Sequence, residues 1–278
     1  MEHVDVGAVR IGFRRAGRGP ALLLLHGGVA DSRVWSESLD RLAEHRTVIA
    51  WDAPGCGGSS DPPGHFGMAD FADCLAAFAD ALQIEEAHVL GQSWGSTLAL
   101  ELCLRRPSLV RSLTLVGGYA GWAGSLPPDE VAQRLRLALD TADAIEAGEW
   151  DPESVPGLFT DAMSSQQRSE LLAIMSEIRA TGTRVMARAL AESDVRPEVG
   201  AIDTPTLVLA GERDERSPVE VAERLHRAIR GSRLTVLPGL GHECYLEDPA
   251  AFHDAVRDFL DIVERENPPA RRRPGTTV

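Results

Sequence analysis

The sequence predicts an α/β fold, a mostly parallel sheet with helices on both faces, and three observations carry that reading. Short continuous apolar runs such as Ala21–Leu25 and Thr206–Ala210 have the pattern of strands buried on both faces. Helix-forming stretches alternate with these runs, in the rhythm of repeated strand–helix–strand units. The 278 residues suffice for one large core that also carries an insertion.

Taken in order, residues 4–16 alternate around Gly7 and Gly12, with Val9, Ile11 and Phe13 on one face, as in a half-exposed antiparallel hairpin. After a turn comes the buried strand Ala21–Leu25, which ends in His26-Gly27-Gly28. Asp31 and Ser32 are placed to cap a helix through Trp35, Leu39 and Leu42. The strand Thr47–Asp52 and a glycine-rich loop to Asp61 follow. Met68 to Gln83 sets Phe71, Leu75, Phe78 and Leu82 at steps of three and four, an amphipathic helix. Ala87–Leu90 and Leu113–Val116 read as further buried strands, with a helix between them over Ser96–Leu104.

From residue 121 to 197 no buried-strand pattern occurs, and the segment is expected to be a helical cap inserted in the core. Its first helix opens at Leu126-Pro127-Pro128-Asp129 and runs to about Gly148. The strands Thr206–Ala210 and Leu234–Leu237 and the helices Pro218–Ile229 and Pro249–Val263 then resume the rhythm. Residues 1–120 and 198–266 are therefore expected to form the core. Residues 267–278, with Pro268, Pro269 and Arg271-Arg272-Arg273, have the composition of a disordered tail.

Composition narrows the function classes. A net charge of −14 and a pI near 5.0 repel phosphate backbones and anionic lipids, so no nucleic acid and no membrane partner is expected. The first residues lack a basic and apolar leader, and no apolar run reaches membrane-spanning length. A cytoplasmic protein acting on a small-molecule substrate is expected; oligomeric state has no signature. Cys56, Cys74, Cys103 and Cys244 are scattered without a Cys-x-x-Cys pair, which fits reduced buried thiols rather than disulfides or a zinc site.

Chemistry concentrates at Gly91-Gln92-Ser93-Trp94-Gly95, between an apolar run and a helix-forming one. A sharp strand–turn–helix crowds the backbone, so the positions two before and two after the serine favour glycine. Such a turn lifts the hydroxyl clear of the sheet and aims free helix N–H groups at the same point. A serine is a poor nucleophile without a base and a group that orients the base. Among eight histidines, His242 lies in a glycine-rich loop directly after a strand on the elbow's side of the sheet, which makes it the candidate base. Asp214 also follows a strand there, and the order Ser93, Asp214, His242 is that of a nucleophile, acid and base on this topology. Glu212 and Glu215 are the fallback acids. The anionic oxygen of acyl transfer needs preorganised donors, expected from the backbone N–H groups of Trp94 and Gly28, with Val29 the alternative to Gly28. His26 is expected to pin its loop by hydrogen bonding, and Trp35, Trp122 and Trp150 are candidate pocket walls.

With these residues in place, the chain resembles an α/β-hydrolase. The resemblance spans about residues 4–120 and 200–263 and rests on His26-Gly27-Gly28, Asp52 through Gly57, the elbow, Gly211 through Asp214 and Gly241-His242. It implies about eight strands, a cap after the sixth, an architectural role for the Asp52–Gly57 loop, and no cofactor. The stretch from Ser93 to Leu100 is also similar to proline iminopeptidases, although Val29-Ala30-Asp31 departs from their pattern. The expected activity is hydrolysis of a small, apolar carboxylic ester or lactone through an acyl-enzyme on Ser93. The alternatives are an aminopeptidase, a hydrolase of carbon–carbon bonds, and a ligand receptor on the same fold.

Overall fold

Strands β1 (Glu2–Val6), β2 (Val9–Ala16), β3 (Ala21–Leu25), β4 (Thr47–Trp51), β5 (Ala87–Gln92), β6 (Val110–Val116), β7 (Thr206–Gly211) and β8 (Arg233–Leu237) form one sheet in the computed structural model, which describes residues 1–266. The order is β1-β2-β4-β3-β5-β6-β7-β8. The first hairpin and the β2–β4 pair are antiparallel, and every other pair is parallel. The tail expected to be disordered, residues 267–278, lies outside the described residues.

The helices are α1 (Ser36–Leu42), α2 (Met68–Ala81), α3 (Trp94–Arg105), α4 (Pro128–Ala147), α5 (Ser165–Met175), α6 (Ala180–Glu192), α7 (Arg196–Val199), α8 (Val219–Ala228), α9 (Cys244–Glu247) and α10 (Pro249–Glu266). On one face of the sheet, Leu23 and Leu25 of β3 pack with Phe71 and Phe78 of α2 and Leu98 of α3. On the other face, Leu22 and Leu24 pack with Leu39 of α1 and Phe252 and Leu260 of α10. Both sides of β3 are covered, which is why its sequence shows no polar alternation. No helix among the described residues is long and apolar enough to cross a membrane.

Two expected boundaries differ from the structure. Asp31 accepts a hydrogen bond from the Arg33 N–H at 2.9 Å, but the cap opens a 3-10 turn, Ser32–Trp35, before α1 begins. Strands β5 and β6 reach beyond their apolar runs because pairing continues through polar positions. There His88 and Ser112 share a buried hydrogen bond of 2.7 Å, Nδ1 to Oγ.

The segment between β6 and β7 carries α4 to α7 and no strand among the described residues. It is pinned to the loop after β4. A Cβ on Gly182 of α6 would stand 2.3 Å from the Gly55 oxygen, so the helix meets this loop backbone to backbone. Arg179 donates to the carbonyls of Gly57 at 2.9 Å and Ser59 at 2.6 Å, and pairs with Asp61 at 2.8 Å.

That loop is held by Asp52, which is fully buried. Its Oδ1 accepts the Ser32 N–H and its Oδ2 the Gly58 N–H, both at 2.7 Å. Removing a carboxylate that satisfies one buried and one half-buried donor leaves both without that partner. Asp52→Ala is expected to lower unfolding free energy by about 2–4 kcal/mol, as read by urea denaturation.

Candidate active site

Strand β3 lies between β4 and β5, and the chains leaving its end and that of β5 turn to opposite faces, toward α1 and α3. Such a divergence opens a crevice at the carboxyl ends of the strands. Ser93 sits at this point with φ 52° and ψ −115°, a left-handed backbone that a side chain rarely adopts. Its hydroxyl makes no capping hydrogen bond to α3. The conformation is held from both sides. A Cβ on Gly91 would lie 2.1 Å from the Gly95 oxygen, and one on Gly95 would lie 2.4 Å from the Leu25 oxygen.

Asp214 and His242 are brought together by the loops after β7 and β8. His242 Nδ1 lies 2.8 Å from Asp214 Oδ2, with both residues at least 95% buried. Asp214 Oδ1 accepts the backbone N–H groups of Arg216 and Ser217, each at 2.8 Å. Three hydrogen bonds thus converge on one carboxylate, which fixes its plane. With Nδ1 directed at Asp214, Nε2 is the ring nitrogen left facing away from the carboxylate, the one that a neutral imidazole can offer as a proton acceptor. Gly117, at φ 53°, leaves room for the pair: a Cβ there would be 3.1 Å from Asp214 Oδ2 and 3.2 Å from the imidazole.

His26 is engaged at both ring nitrogens. The Ala53 N–H donates to Nε2 at 3.0 Å, so Nδ1 carries the proton and donates to the Gly27 carbonyl at 2.7 Å. With both nitrogens occupied, it anchors the Gly27-Gly28 loop. A Cβ on Gly28 would stand 3.9 Å from the Trp94 Cβ, so this loop borders the start of α3, whose first N–H groups have no intrahelical acceptor.

Ser93, Trp94, Gly28, Val29 and His242 all line one cavity of about 650 Å³ under α4 and α6. Among the expected pocket walls, Trp122 lines it. Trp35 does not, and this is a correction: it is fully buried and its ring centre lies 4.5 Å from that of Tyr245, because the 3-10 turn before α1 directs it into the core. Trp150 is likewise absent from the lining and packs at the edge of the same core. The Trp94 indole is a tie between layers, donating to the Met186 carbonyl of α6 at 3.1 Å and meeting Phe71 edge-on at 4.9 Å.

Sequence reasoning passed over Gln92, Gly117, Arg216 and Glu243. Gln92 Nε2 donates to the His242 carbonyl at 3.3 Å, and its Oε1 occupies the space where a Gly27 side chain would be. Its place inside the five-residue elbow was the available signal. Glu243 is 5% exposed and lines the cavity, where burial raises its carboxyl above the usual carboxylate range despite the opposing pull of His242. Burial likewise lowers the Arg216 guanidinium from its ordinary value. Burial also raises all four thiols, which are unpaired.

A family model described as the alpha/beta hydrolase fold matches residues 20–151, and one described as TAP-like protein matches residues 182–270. An uncharacterized protein of Mycobacterium tuberculosis is 31% identical over 95% of this chain and 82% of its own length. The chain belongs to the α/β-hydrolase family. A proline iminopeptidase of Heyndrickxia coagulans is similar at 28% identity, over 94% of this chain and 98% of that protein. Among solved structures, a thermophilic esterase from Thermogutta terrifontis superposes with a TM-score of 0.85 at 25% identity, covering 95% of this chain and 99% of that one. This α/β-hydrolase thus shares its whole architecture with relatives of several hydrolytic names.

The glycine at position 95 is a steric requirement of that architecture. Gly95→Ala is expected to destabilise the protein by about 1–3 kcal/mol in chemical denaturation, since the added carbon meets backbone oxygen. Gly64→Ala, where nothing stands within 4 Å of the added carbon, is expected to stay within about 0.5 kcal/mol of wild type.

Proposed function

We propose that this α/β-hydrolase is a serine hydrolase that cleaves a carboxylic ester or lactone through an acyl-enzyme on Ser93. The observation that carries the reading is the buried Asp214–His242 hydrogen bond opening onto the same cavity as the strained Ser93. His242 Nε2 takes the Ser93 proton as the hydroxyl attacks the acyl carbon. It then gives that proton to the leaving alcohol, and the acyl group stays on Ser93. A water deprotonated by the same nitrogen attacks the acyl-enzyme, which releases the acid and returns the proton to Ser93. Asp214 stabilises the imidazolium formed at each stage.

The oxyanion of both tetrahedral intermediates is assigned to the backbone N–H groups of Trp94 and Gly28, each worth about 3 kcal/mol to the transition state. Gly28 is chosen over Val29 because a residue without a Cβ lets the loop backbone approach closely. Residues 121–197 act as a cap: α4 and α6 supply Leu137, Met186 and Leu190 to the roof of the cavity, an apolar lining suited to the hydrocarbon body of a small substrate. Four buried unpaired thiols fit a reducing, cytoplasmic location.

The charged residues of the cavity favour an ester over the amine terminus that an aminopeptidase must hold. Such an amine needs an ionised carboxylate. Glu130 is already paired with Arg134 at 2.8 Å, Asp129 and Glu215 are exposed, and burial holds Glu243 toward its neutral form.

Ser93→Ala is expected to abolish turnover of p-nitrophenyl butyrate while leaving the thermal unfolding midpoint within a few degrees of wild type. Unchanged turnover contradicts the mechanism. Asp214→Asn keeps the volume of the acid but can hold His242 in the wrong tautomer, and is expected to lower kcat by about 10³- to 10⁴-fold in steady-state assays.

A further inference from the structure

Two arginines set one part of the cavity wall apart from the rest. Arg134 of α4 and Arg216 of the β7–α8 loop both line it, on opposite sides of the junction between cap and core. They are locked to each other through one carbonyl: Arg134 Nη1 donates to the Arg216 oxygen at 3.0 Å and to Tyr119 Oη at 3.1 Å, and Tyr119 Oη donates to the same Arg216 oxygen. The Arg134 guanidinium also stands over the rings of Tyr119, at 5.6 Å, and Trp122, at 5.9 Å. Its charge is answered by Glu130 at 2.8 Å.

Arg216 is not answered in this way. Its guanidinium donates from Nη1 to the Pro156 carbonyl at 2.8 Å, and among the described residues no carboxylate lies within ion-pair distance of it. A simple tether between core and cap would use that one hydrogen bond, yet an arginine carries five donors and keeps its charge at neutral pH. A partly buried cation at a cavity wall, without a contacting anion, is an unfavourable arrangement that an anionic ligand relieves. Its surroundings agree: burial is the main influence lowering the Arg216 pKa, and the nearby Arg134 charge acts in the same direction. The acids that oppose them act at longer range: Glu243, which burial displaces toward its neutral form, and then Asp214, whose carboxylate is already engaged by His242 and two backbone N–H groups.

The loop is also rigidly placed relative to the chemistry. The Arg216 N–H is one of the two backbone donors that hold Asp214 Oδ1, so the position of Arg216 and the orientation of His242 are set by the same carboxylate. A group bound by Arg216 is therefore registered against the reacting bond.

We infer that Arg216 is a specificity residue that binds a carboxylate at the far end of the substrate from the scissile bond, so that the substrate class is an ester or lactone bearing a second, anionic carboxyl group. The apolar roof takes the hydrocarbon body between the two ends. Arg134 acts as a positioning residue through its hydrogen bond to the Arg216 carbonyl. The inference rests on the serine hydrolase reading and deepens it.

The test compares monomethyl glutarate with methyl pentanoate, its neutral counterpart. Wild type is expected to favour the anionic ester by about tenfold or more in kcat/KM, the scale of a charge-assisted hydrogen bond. In Arg216→Gln that preference is expected to fall at least about tenfold, and Arg216→Lys, which keeps the charge without the fork, is expected to retain part of it. Arg257→Gln removes the same charge from the exposed face of α10 and is expected to leave the preference intact. An absence of preference in wild type, or a preference unchanged in Arg216→Gln, overturns the inference.

Calorimetric titration of monomethyl glutarate into Ser93→Ala, alone and combined with Arg216→Gln, reads binding without turnover. Binding that weakens about tenfold in the combined variant is expected; equal affinity in the two overturns the inference. Turnover of the neutral ester without anion preference contradicts the inference alone. Failure of wild type to cleave either ester, with binding still dependent on Arg216, contradicts the hydrolase reading alone.

Discussion

The contact on which the rest depends is the approach of backbone to backbone around Ser93. Gly91 passes so close to Gly95, and Gly95 to the end of β3, that neither position has room for a side chain. That closeness forces the turn from β5 into α3 to be sharp, and the sharp turn holds Ser93 at positive φ. It also brings the start of α3 beside the Gly27-Gly28 loop, so one steric constraint sets the serine and the neighbouring N–H groups in a single frame. The energy stored in the strained residue is of order 1–3 kcal/mol and is offset by the packed sheet on either side.

Around this frame the chain segments leaving β3, β4, β5, β7 and β8 are cross-linked by hydrogen bonds. Gln92 reaches the His242 carbonyl, His26 joins the Gly27 carbonyl to the Ala53 N–H, and Asp214 joins His242 to the backbone at Arg216 and Ser217. Each link satisfies a polar group that burial would otherwise penalise. The insertion is fastened to the same loops by Arg179 and by the Trp94 indole, so the roof of the cavity and its floor are positioned by shared residues.

Much of this was legible in the sequence because it follows from local rules. Apolar runs of strand length predicted β3, β4 and β7, and the spacing of Phe71, Leu75 and Phe78 predicted α2. Chain order singled out Asp214 and His242, which the fold places 2.8 Å apart. What stayed illegible depends on contacts between distant segments. Trp35 looked available to a pocket, but the direction in which the 3-10 turn packs it on Tyr245 is a tertiary property. Arg216 and Glu243 carried no pattern, because a charge acquires meaning only when cap and core enclose it. Polar strand ends such as Gln92 and Ser112 were hidden because pairing with neighbours, rather than their own propensity, keeps them in the sheet.

The central claim is that Ser93 is an activated nucleophile and His242 its base. Covalent labelling by a fluorophosphonate, with the modified peptide identified by mass spectrometry, tests both parts together. The account predicts one adduct, on Ser93, formed quickly in wild type and at least about 10³-fold more slowly in His242→Ala. An unlabelled Ser93, or labelling at the same rate without His242, would contradict it.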